Sequence, residues 1–310
     1  MKLFLSKPRG FCAGVIRAIK TVEKALENFG PPIYVKHEIV HNKHVVDELK
    51  GKGAIFIEDL DQVPEGSRII YSAHGVAPSV RDHAKKRRLL EIDASCGLVT
   101  RVHSAVKRYA KKGYHILLIG HKDHVEVIGT FGEAPDQTTI IETVDDVLNL
   151  NLPDTLPLFY TSQTTLSIQD VNEITSALKK KYPRVETLNS SSLCYATTNR
   201  QKALHEIGDL VDIVFVVGDP SSSNSNRLCE VARSNGIPSY LINCSSEISS
   251  KHLKNISNIG LTAGASTPEY IVQNCIDHLK KLGVTIVEEV EYTRENVHFA
   301  LPTSVNITYS

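Results

Sequence analysis

What most limits the fold of this chain is a recurring rhythm. Short apolar runs at residues 3–5, 33–35, 54–57, 69–72, 115–119, 158–160, 213–217, 239–242 and 259–261 lead into turns rich in glycine, histidine or serine. Stretches with helical spacing follow many of these turns, at 16–28, 44–50, 79–88, 99–111, 168–181, 200–210, 227–234 and 269–282. The runs are too short for helices and are apolar on both faces, as strands are when helices cover both sides of a parallel sheet. The pattern predicts an α/β protein with parallel sheets.

Three cysteines punctuate the rhythm. Cys12 in Pro8-Arg9-Gly10-Phe11-Cys12-Ala13-Gly14-Val15, Cys96 in Asp93-Ala94-Ser95-Cys96-Gly97 and Cys194 in Leu193-Cys194-Tyr195-Ala196 each stand just ahead of an expected helix. A helix start favours the thiolate, the form that binds metal. A lone cysteine ordinarily serves as a small buried hydrophobe; three in one local setting point instead to thiolates that share a metal centre. Structural zinc usually takes four ligands, often from closely spaced cysteine pairs, and no Cys-x-x-Cys pair is present. Widely separated single cysteines suit an iron–sulfur core, and three of them leave one iron open. On spacing alone, iron–sulfur and zinc both stay open. Cys229 lies inside an expected helix beside Leu228, Cys244 follows an expected strand without glycine support, and Cys275 lies in an i, i+4 apolar stripe with Ile271 and Leu279, so all three are expected to be structural.

The cysteine spacing also divides the chain. Three related α/β modules are expected at 1–96, 97–193 and 194–300, followed by a tail at 301–310, the relation resting on rhythm rather than on sequence identity.

Composition removes several function classes. Among 310 residues, Lys+Arg and Asp+Glu both number 35, so no basic field marks a nucleic-acid or anionic-membrane partner. No apolar run is long enough to span a bilayer, and Lys7, Pro8 and Arg9 break the first apolar stretch too early for a signal peptide. Six cysteines without dense spacing do not suit a disulfide scaffold. The expectation is a cytoplasmic protein with reduced thiols.

In parallel sheets, ligands bind beyond the carboxyl ends of the strands. Those ends carry His41, His74, His124, Thr164, Ser222, Ser223, Asn224 and Ser266. Each alone can be a helix cap or turn residue; together they outline a polar cavity. The run 221–226 offers hydroxyl and amide donors ahead of a helix, a surface suited to a phosphate or diphosphate. Gly75 and the Gly264-Ala265-Ser266 turn let backbone approach an anion in the same way. His124-Val125-Glu126 alternates, so an extended backbone would put both polar side chains on one side, with Glu126 a candidate proton donor near the metal.

In these stretches the chain resembles the 4-hydroxy-3-methylbut-2-enyl diphosphate reductases, the LytB/IspH family. The cysteine segment at 8–15 carries the resemblance, with His37-Glu38-Ile39-Val40-His41-Asn42, Ser72-Ala73-His74-Gly75-Val76, Gln163-Thr164-Thr165-Leu166-Ser167, Cys194-Tyr195-Ala196-Thr197-Thr198-Asn199-Arg200-Gln201, Ser222-Ser223-Asn224-Ser225-Asn226-Arg227 and Thr262-Ala263-Gly264-Ala265-Ser266. It runs from residue 3 to about 300. It implies three α/β modules in pseudo-threefold arrangement around one [4Fe–4S] cluster on Cys12, Cys96 and Cys194, with the fourth iron open. It implies an allylic diphosphate substrate held by His41, His74, His124, Ser222, Ser223, Asn224 and Ser266, with Thr164 at its hydroxyl and Glu126 on the proton path. The implied reaction is reductive dehydroxylation to isopentenyl and dimethylallyl diphosphate, the last step of the non-mevalonate isoprenoid pathway. No nicotinamide or flavin fingerprint is present, so a ferredoxin or flavodoxin is the expected electron donor.

Two features sit apart from that expectation. The family usually has Asp-Ala-Thr-Cys-Pro at the second cysteine, where this chain has Ser95 and Gly97, a change expected to loosen the turn behind Cys96. The expected diphosphate site also offers histidines and neutral donors rather than arginine or lysine; protonated histidines would supply the charge, and binding would then weaken as pH rises past their pKa. A zinc hydrolase using His124 and Glu126, and an iron–sulfur sensor, are the competing functions.

Overall fold

The structure, a computed structural model, describes residues 1–188 and 191–306; residues 307–310 of the expected tail lie outside the described residues. In chain order the elements are β1 (Lys2–Lys7), α1 (Ala13–Phe29), β2 (Ile33–Lys36), α2 (Lys43–Gly51), β3 (Ala54–Ile57), β4 (Arg68–Tyr71), α3 (Pro78–Lys86), β5 (Leu90–Asp93) and α4 (Gly97–Lys111). There follow β6 (His115–Ile119), α5 (Val125–Phe131), β7 (Thr138–Ile141), α6 (Val144–Asn149), β8 (Leu158–Ser162), α7 (Ile168–Lys181), β9 (Glu186–Thr187) and α8 (Tyr195–Gly208). The last part holds β10 (Ile213–Val217), α9 (Ser223–Ser234), β11 (Ser239–Ile242), β12 (Asn258–Ala263), α10 (Glu269–Lys281) and β13 (Ile286–Glu291), then a short 3-10 turn at Thr303–Asn306.

The strands form three small sheets, parallel throughout, with orders β3-β2-β4-β5, β7-β6-β8-β9 and β11-β10-β12-β1-β13. The first two share one plan, in which the second strand flanks the first and the third and fourth follow on its other side. The third sheet keeps this plan with β10, β11 and β12, but its fourth position is filled by β1, from the other end of the chain. Each fourth strand (β5, β9, β1) is the one that precedes a cysteine: Cys96, Cys194 and Cys12. The repeat expected from rhythm is therefore a repeat of strand order. Strand β1, which opens the expected segment 1–96, is housed in the sheet of the expected segment 194–300. The physical reason is that pairing, not chain proximity, decides where a strand is buried: Leu3 and Leu5 align with Ile259 and Leu261 on one side and with Val287 and Glu289 on the other.

Contacts gather the chain into two compact units. One comprises Met1–Val15, His41–Val45 and Tyr195–His298, and the other comprises Ile16–Val40, Val46–Cys194 and the chain from Phe299 onward. In the first unit the five-stranded sheet is covered on both faces. Alternate residues explain it: Leu3, Leu5, Phe215, Val217 and Leu261 pack with Ile271, Val272, Cys275 and Leu279 of α10. Phe4, Val214 and Val216 pack on the other side with Leu204 and Ile207 of α8 and Leu228, Cys229 and Ala232 of α9. In the second unit the sheet of β6–β9 does the same, Leu117, Ile119 and Tyr160 facing Ile174 and Leu178 of α7, Ile116 and Phe159 facing Ala105, Val106 and Ala110 of α4. Both faces buried is why the strands read as continuous apolar runs. No helix among the described residues is long and apolar enough to cross a membrane.

Cys229 and Cys275 are core residues, and burial pushes their thiols up to about 11 and about 12. Cys244 is half-buried, its sulfur 3.0 Å from the Ser246 hydroxyl.

Two glycines of the first unit are fixed by one buried serine. A Cβ on Gly218 or on Gly264 would collide with the Ser225 hydroxyl, and Ser225 is fully buried in the first turn of α9. The absence of a Cβ at both positions lets Ser225 draw the start of α9 against the ends of β10 and β12. Gly264→Ala should destabilise by about 1–3 kcal/mol, and Ser225→Ala should restore most of it, because the Ser225 Cβ lies 3.2 Å away. At Gly218 the Ser225 Cβ itself would be only 2.6 Å away, so the same rescue should fail there. Urea midpoints of the single and double variants separate the two cases.

Candidate active site

In the first unit, the polar residues expected at strand ends form a connected set. The Cys12 N–H donates to the carbonyl of Ala265 at 3.1 Å, and the Ala265 N–H donates to Asn224 Oδ1 at 2.9 Å. With Oδ1 committed, Asn224 Nδ2 is a buried donor without a hydrogen-bond partner among the described residues. Ser222 is the N-cap of α9, its oxygen accepting from the Ser225 N–H at 3.3 Å and the Ser225 hydroxyl at 3.1 Å, so its own proton stays available to donate. Ser223 begins the helix, where backbone N–H groups have no intrahelical acceptor. Ser266 donates its hydroxyl to the His41 carbonyl at 2.9 Å. Asp219 sits beneath this edge. Burial would push its carboxyl up, but the hydrogen bonds from Ser221 and the Lys43 N–H, with His41 nearby, outweigh that and hold it below its ordinary value.

The loop that presents Cys12 is fixed from within the same unit. Gly10 has a φ of 68°, which favours glycine. Arg200, 0% exposed, donates to the Gly10 carbonyl at 2.7 Å and the Ala196 carbonyl at 2.8 Å, and pairs with Glu295 at 3.2 Å. Arg200 belongs to the Cys194 motif, but spacing gave it no role. Its interest comes from being a buried cation that anchors one cysteine loop to the helix that follows another.

In the second unit, contacts run from Cys96 to Cys194. Cys96 is the N-cap of α4, and its N–H donates to Ala73 O at 2.9 Å. The next residue, His74, meets the Ser72 hydroxyl at 3.2 Å and stacks edge-on to His124 with ring centroids 6.1 Å apart. His124 Nδ1 accepts the Glu126 N–H at 3.2 Å. The Glu126 side chain, 3% exposed, accepts the Thr164 N–H at 2.6 Å on one oxygen and the Thr164 hydroxyl at 2.9 Å on the other. Thr164 O in turn accepts the Cys194 N–H at 3.0 Å.

The stretch 124–126 is not extended. His124 caps α5 and Glu126 lies in its first turn. Three alternating residues are too few to separate a strand from a helix cap. In that cap Nδ1 of His124 is the acceptor of the Glu126 N–H.

The Cys96 loop is held by charge. Arg81 pairs with Asp93 at 2.5 Å, and Asp93 accepts the Ser95 N–H at 2.9 Å. Burial would raise the Asp93 carboxyl, but its contacts with Ser95 and with Arg81 outweigh that and hold it below its ordinary 3.8. A depressed carboxyl contributes stability fully above the unfolded pKa and loses it as pH falls through the folded one. Stability should therefore drop as pH falls below about 4, and Asp93→Asn should be less stable than the parent at pH 7 with a shallower acid limb. Urea midpoints at pH 7 and pH 3.5 give both readings.

The donor set can be judged against a metal centre. Cys12, Cys96 and Cys194 form no disulfide and are half-buried, and each immediately precedes or caps a helix of fourteen or more residues. The helix starts carry partial positive charge, which complements sulfur ligands that bind as anions. These thiols fit an iron–sulfur centre; the fully buried Cys229 and Cys275 do not.

Comparison with known proteins supplies independent findings. The family model described as LytB protein matches residues 3–280. The 4-hydroxy-3-methylbut-2-enyl diphosphate reductase of Protochlamydia amoebophila (strain UWE25) is 69% identical over 302 residues, covering 97% of this chain and 96% of its own. That of Chlamydia trachomatis serovar D is 59% identical over 302 residues, covering 97% and 98%. Among solved structures, the E-1-hydroxy-2-methyl-but-2-enyl-4-diphosphate reductase from Plasmodium falciparum matches with a TM-score of 0.96 at 49% identity, covering 98% of this chain and 96% of its own. A second, the (E)-4-hydroxy-3-methyl-but-2-enyl diphosphate reductase described as the terminal enzyme of the non-mevalonate pathway, matches with a TM-score of 0.64 at 28% identity, covering 90% and 99%. With the family model spanning most of its length and relatives matched nearly end to end, this chain belongs to the LytB family.

Proposed function

We propose that this chain is a 4-hydroxy-3-methylbut-2-enyl diphosphate reductase, converting its substrate to isopentenyl and dimethylallyl diphosphate as the last step of the non-mevalonate isoprenoid pathway. The observation that carries the proposal is the buried link Glu126–Thr164–Cys194. It ties a group able to carry a proton to a thiol suited to a metal, through a residue whose hydroxyl can meet the substrate's.

Cys12, Cys96 and Cys194 would hold one [4Fe–4S] cluster per chain, which when bound would pass two electrons one at a time and offer a Lewis-acidic iron. The conversion takes up two electrons and two protons: the C–O bond breaks, one proton leaves with the hydroxyl as water, and the other forms the new C–H bond. Thr164 positions the substrate hydroxyl, and Glu126 delivers the proton that lets water leave. His41, His74, His124, Ser222, Ser223, Asn224 and Ser266 hold the diphosphate, with the unpartnered Asn224 Nδ2 and the start of α9 as donors. The electrons come from a ferredoxin or flavodoxin, in a reducing cytoplasm where the cysteines stay reduced.

Anaerobic purification with iron, sulfide and zinc analysis tests the cluster, and reduction of the diphosphate by the loaded enzyme tests the reaction. About four irons and four sulfides per chain, with turnover to both products, support the proposal. Zinc without sulfide sinks it in favour of a hydrolase.

A further inference from the structure

Within the second unit, one short segment lies against the Cys96 loop. Arg17 in α1 donates to three carbonyls: Ser95 O at 2.8 Å and Asp93 O at 3.2 Å, just before the cysteine, and Ala300 O at 2.8 Å. Three turns along the same helix, Asn28 Nδ2 donates to Val305 O at 2.9 Å, and Val305 is buried. Phe299 directly precedes the Ala300 anchor. A Cβ on Gly97, the residue after the cysteine, would lie 3.4 Å from the Phe299 ring. The ring thus packs on the bare backbone of the first residue of α4, and Cys96 is the cap of that helix.

We infer that the segment 299–305 is a strap that positions Cys96, with Phe299 and Arg17 as its positioning residues. Glycine at the first helical position leaves the backbone more freedom than any other residue would. Phe299 restricts that freedom by contact, and Arg17 restricts it by joining the loop before the cysteine to the segment that carries the ring. The inference rests on the proposed ligation of a cluster by Cys96. It goes further in naming what sets how firmly that ligand is held, a property that second-layer residues commonly control.

The experiment compares the parent, Phe299→Ala, Arg17→Met and the double variant Phe299→Ala/Gly97→Pro. Proline is favoured at the first helical position, so it can replace by covalent stiffness the restraint that the ring supplied. The main readout is the rate at which the cluster absorbance decays in the presence of an iron chelator, set beside the thermal midpoint. Phe299→Ala and Arg17→Met should each speed cluster loss, on the order of tenfold. Gly97→Pro should slow it again in the Phe299→Ala background, while the thermal midpoint follows a different order. An unchanged decay rate in Phe299→Ala, or an acceleration that Gly97→Pro leaves as it is, overturns the strap.

A second readout needs no cluster. In the metal-free chain, the alkylation rate of Cys96, read by peptide mass spectrometry, should rise in Phe299→Ala and fall back in the double variant. If the parent binds no iron or sulfide, the proposed function fails, and the alkylation rates alone decide the strap: equal rates overturn it.

Discussion

Glu126→Gln is expected to lower turnover by about a hundred- to ten-thousand-fold while leaving iron content and cluster absorbance as in the parent. The hydrogen bonds explain why this variant isolates the proton. Glutamine keeps a carbonyl to accept the Thr164 N–H, now met at 2.6 Å. Its amide faces the Thr164 hydroxyl, now 2.9 Å from the carboxylate, and a hydroxyl can turn to accept where it had donated. The backbone bond from Cys194 to Thr164 is untouched. Shape, burial and the thiol's support survive, and only the capacity to give up a proton is lost. A glutamine variant with near-parental turnover removes Glu126 from the proton path. One that loses its iron shows instead that the residue is structural.

The second large effect is on stability. Arg200→Met should lower the unfolding free energy by about 3–5 kcal/mol, the usual cost of breaking a buried ion pair from one side. Methionine fills much of the volume, so the loss is chiefly electrostatic: Glu295 is left without its cation and the Gly10 carbonyl without its donor. Adding Glu295→Gln should recover part of the loss, since the stranded charge goes with it. Arg200→Lys should fall between, because an ammonium lacks the planar fork that reaches Gly10, Ala196 and Glu295 together. Urea midpoints of the four proteins measure the order; a methionine variant as stable as the parent would falsify the anchoring role.

Much of the architecture was legible from periodicity. The helical spacing at 168–181 coincides with α7, and the apolar runs at 54–57, 115–119 and 213–217 coincide with β3, β6 and β10. Those segments declare themselves because one periodicity holds over their whole length. Helix α5 did not, since Val125, Val127 and Ile128 are β-branched and Gly129 weakens a helix. Strand β13 was missed for another reason: it reads Ile-Val-Glu-Glu-Val-Glu and is mostly exposed at a sheet edge, so no buried face patterns it. At the candidate site, the cysteines and the strand-end donors were visible because chemistry demands those residue types. Arg17, Arg200 and Phe299 were not, because their parts depend on carbonyls and a glycine far away in sequence.

The placement of β1 bears on the order in which the molecule can be finished. Its neighbours are β12 and β13, with Lys2 opposite Asn258 and Ile286. Strand β1 therefore pairs only after the chain has been made through β12, more than 250 residues later, and until then both its edges are open. The carbonyl that holds the Cys12 N–H belongs to Ala265, so this loop gains its seat only once that residue has been made. Cys96 and Cys194 take their backbone partners, Ala73 and Thr164, from much nearer in sequence. The two later cysteines can therefore take their backbone partners before β12 is made, and the first cannot: a chain arrested before β12 offers the Cys12 N–H no Ala265 carbonyl.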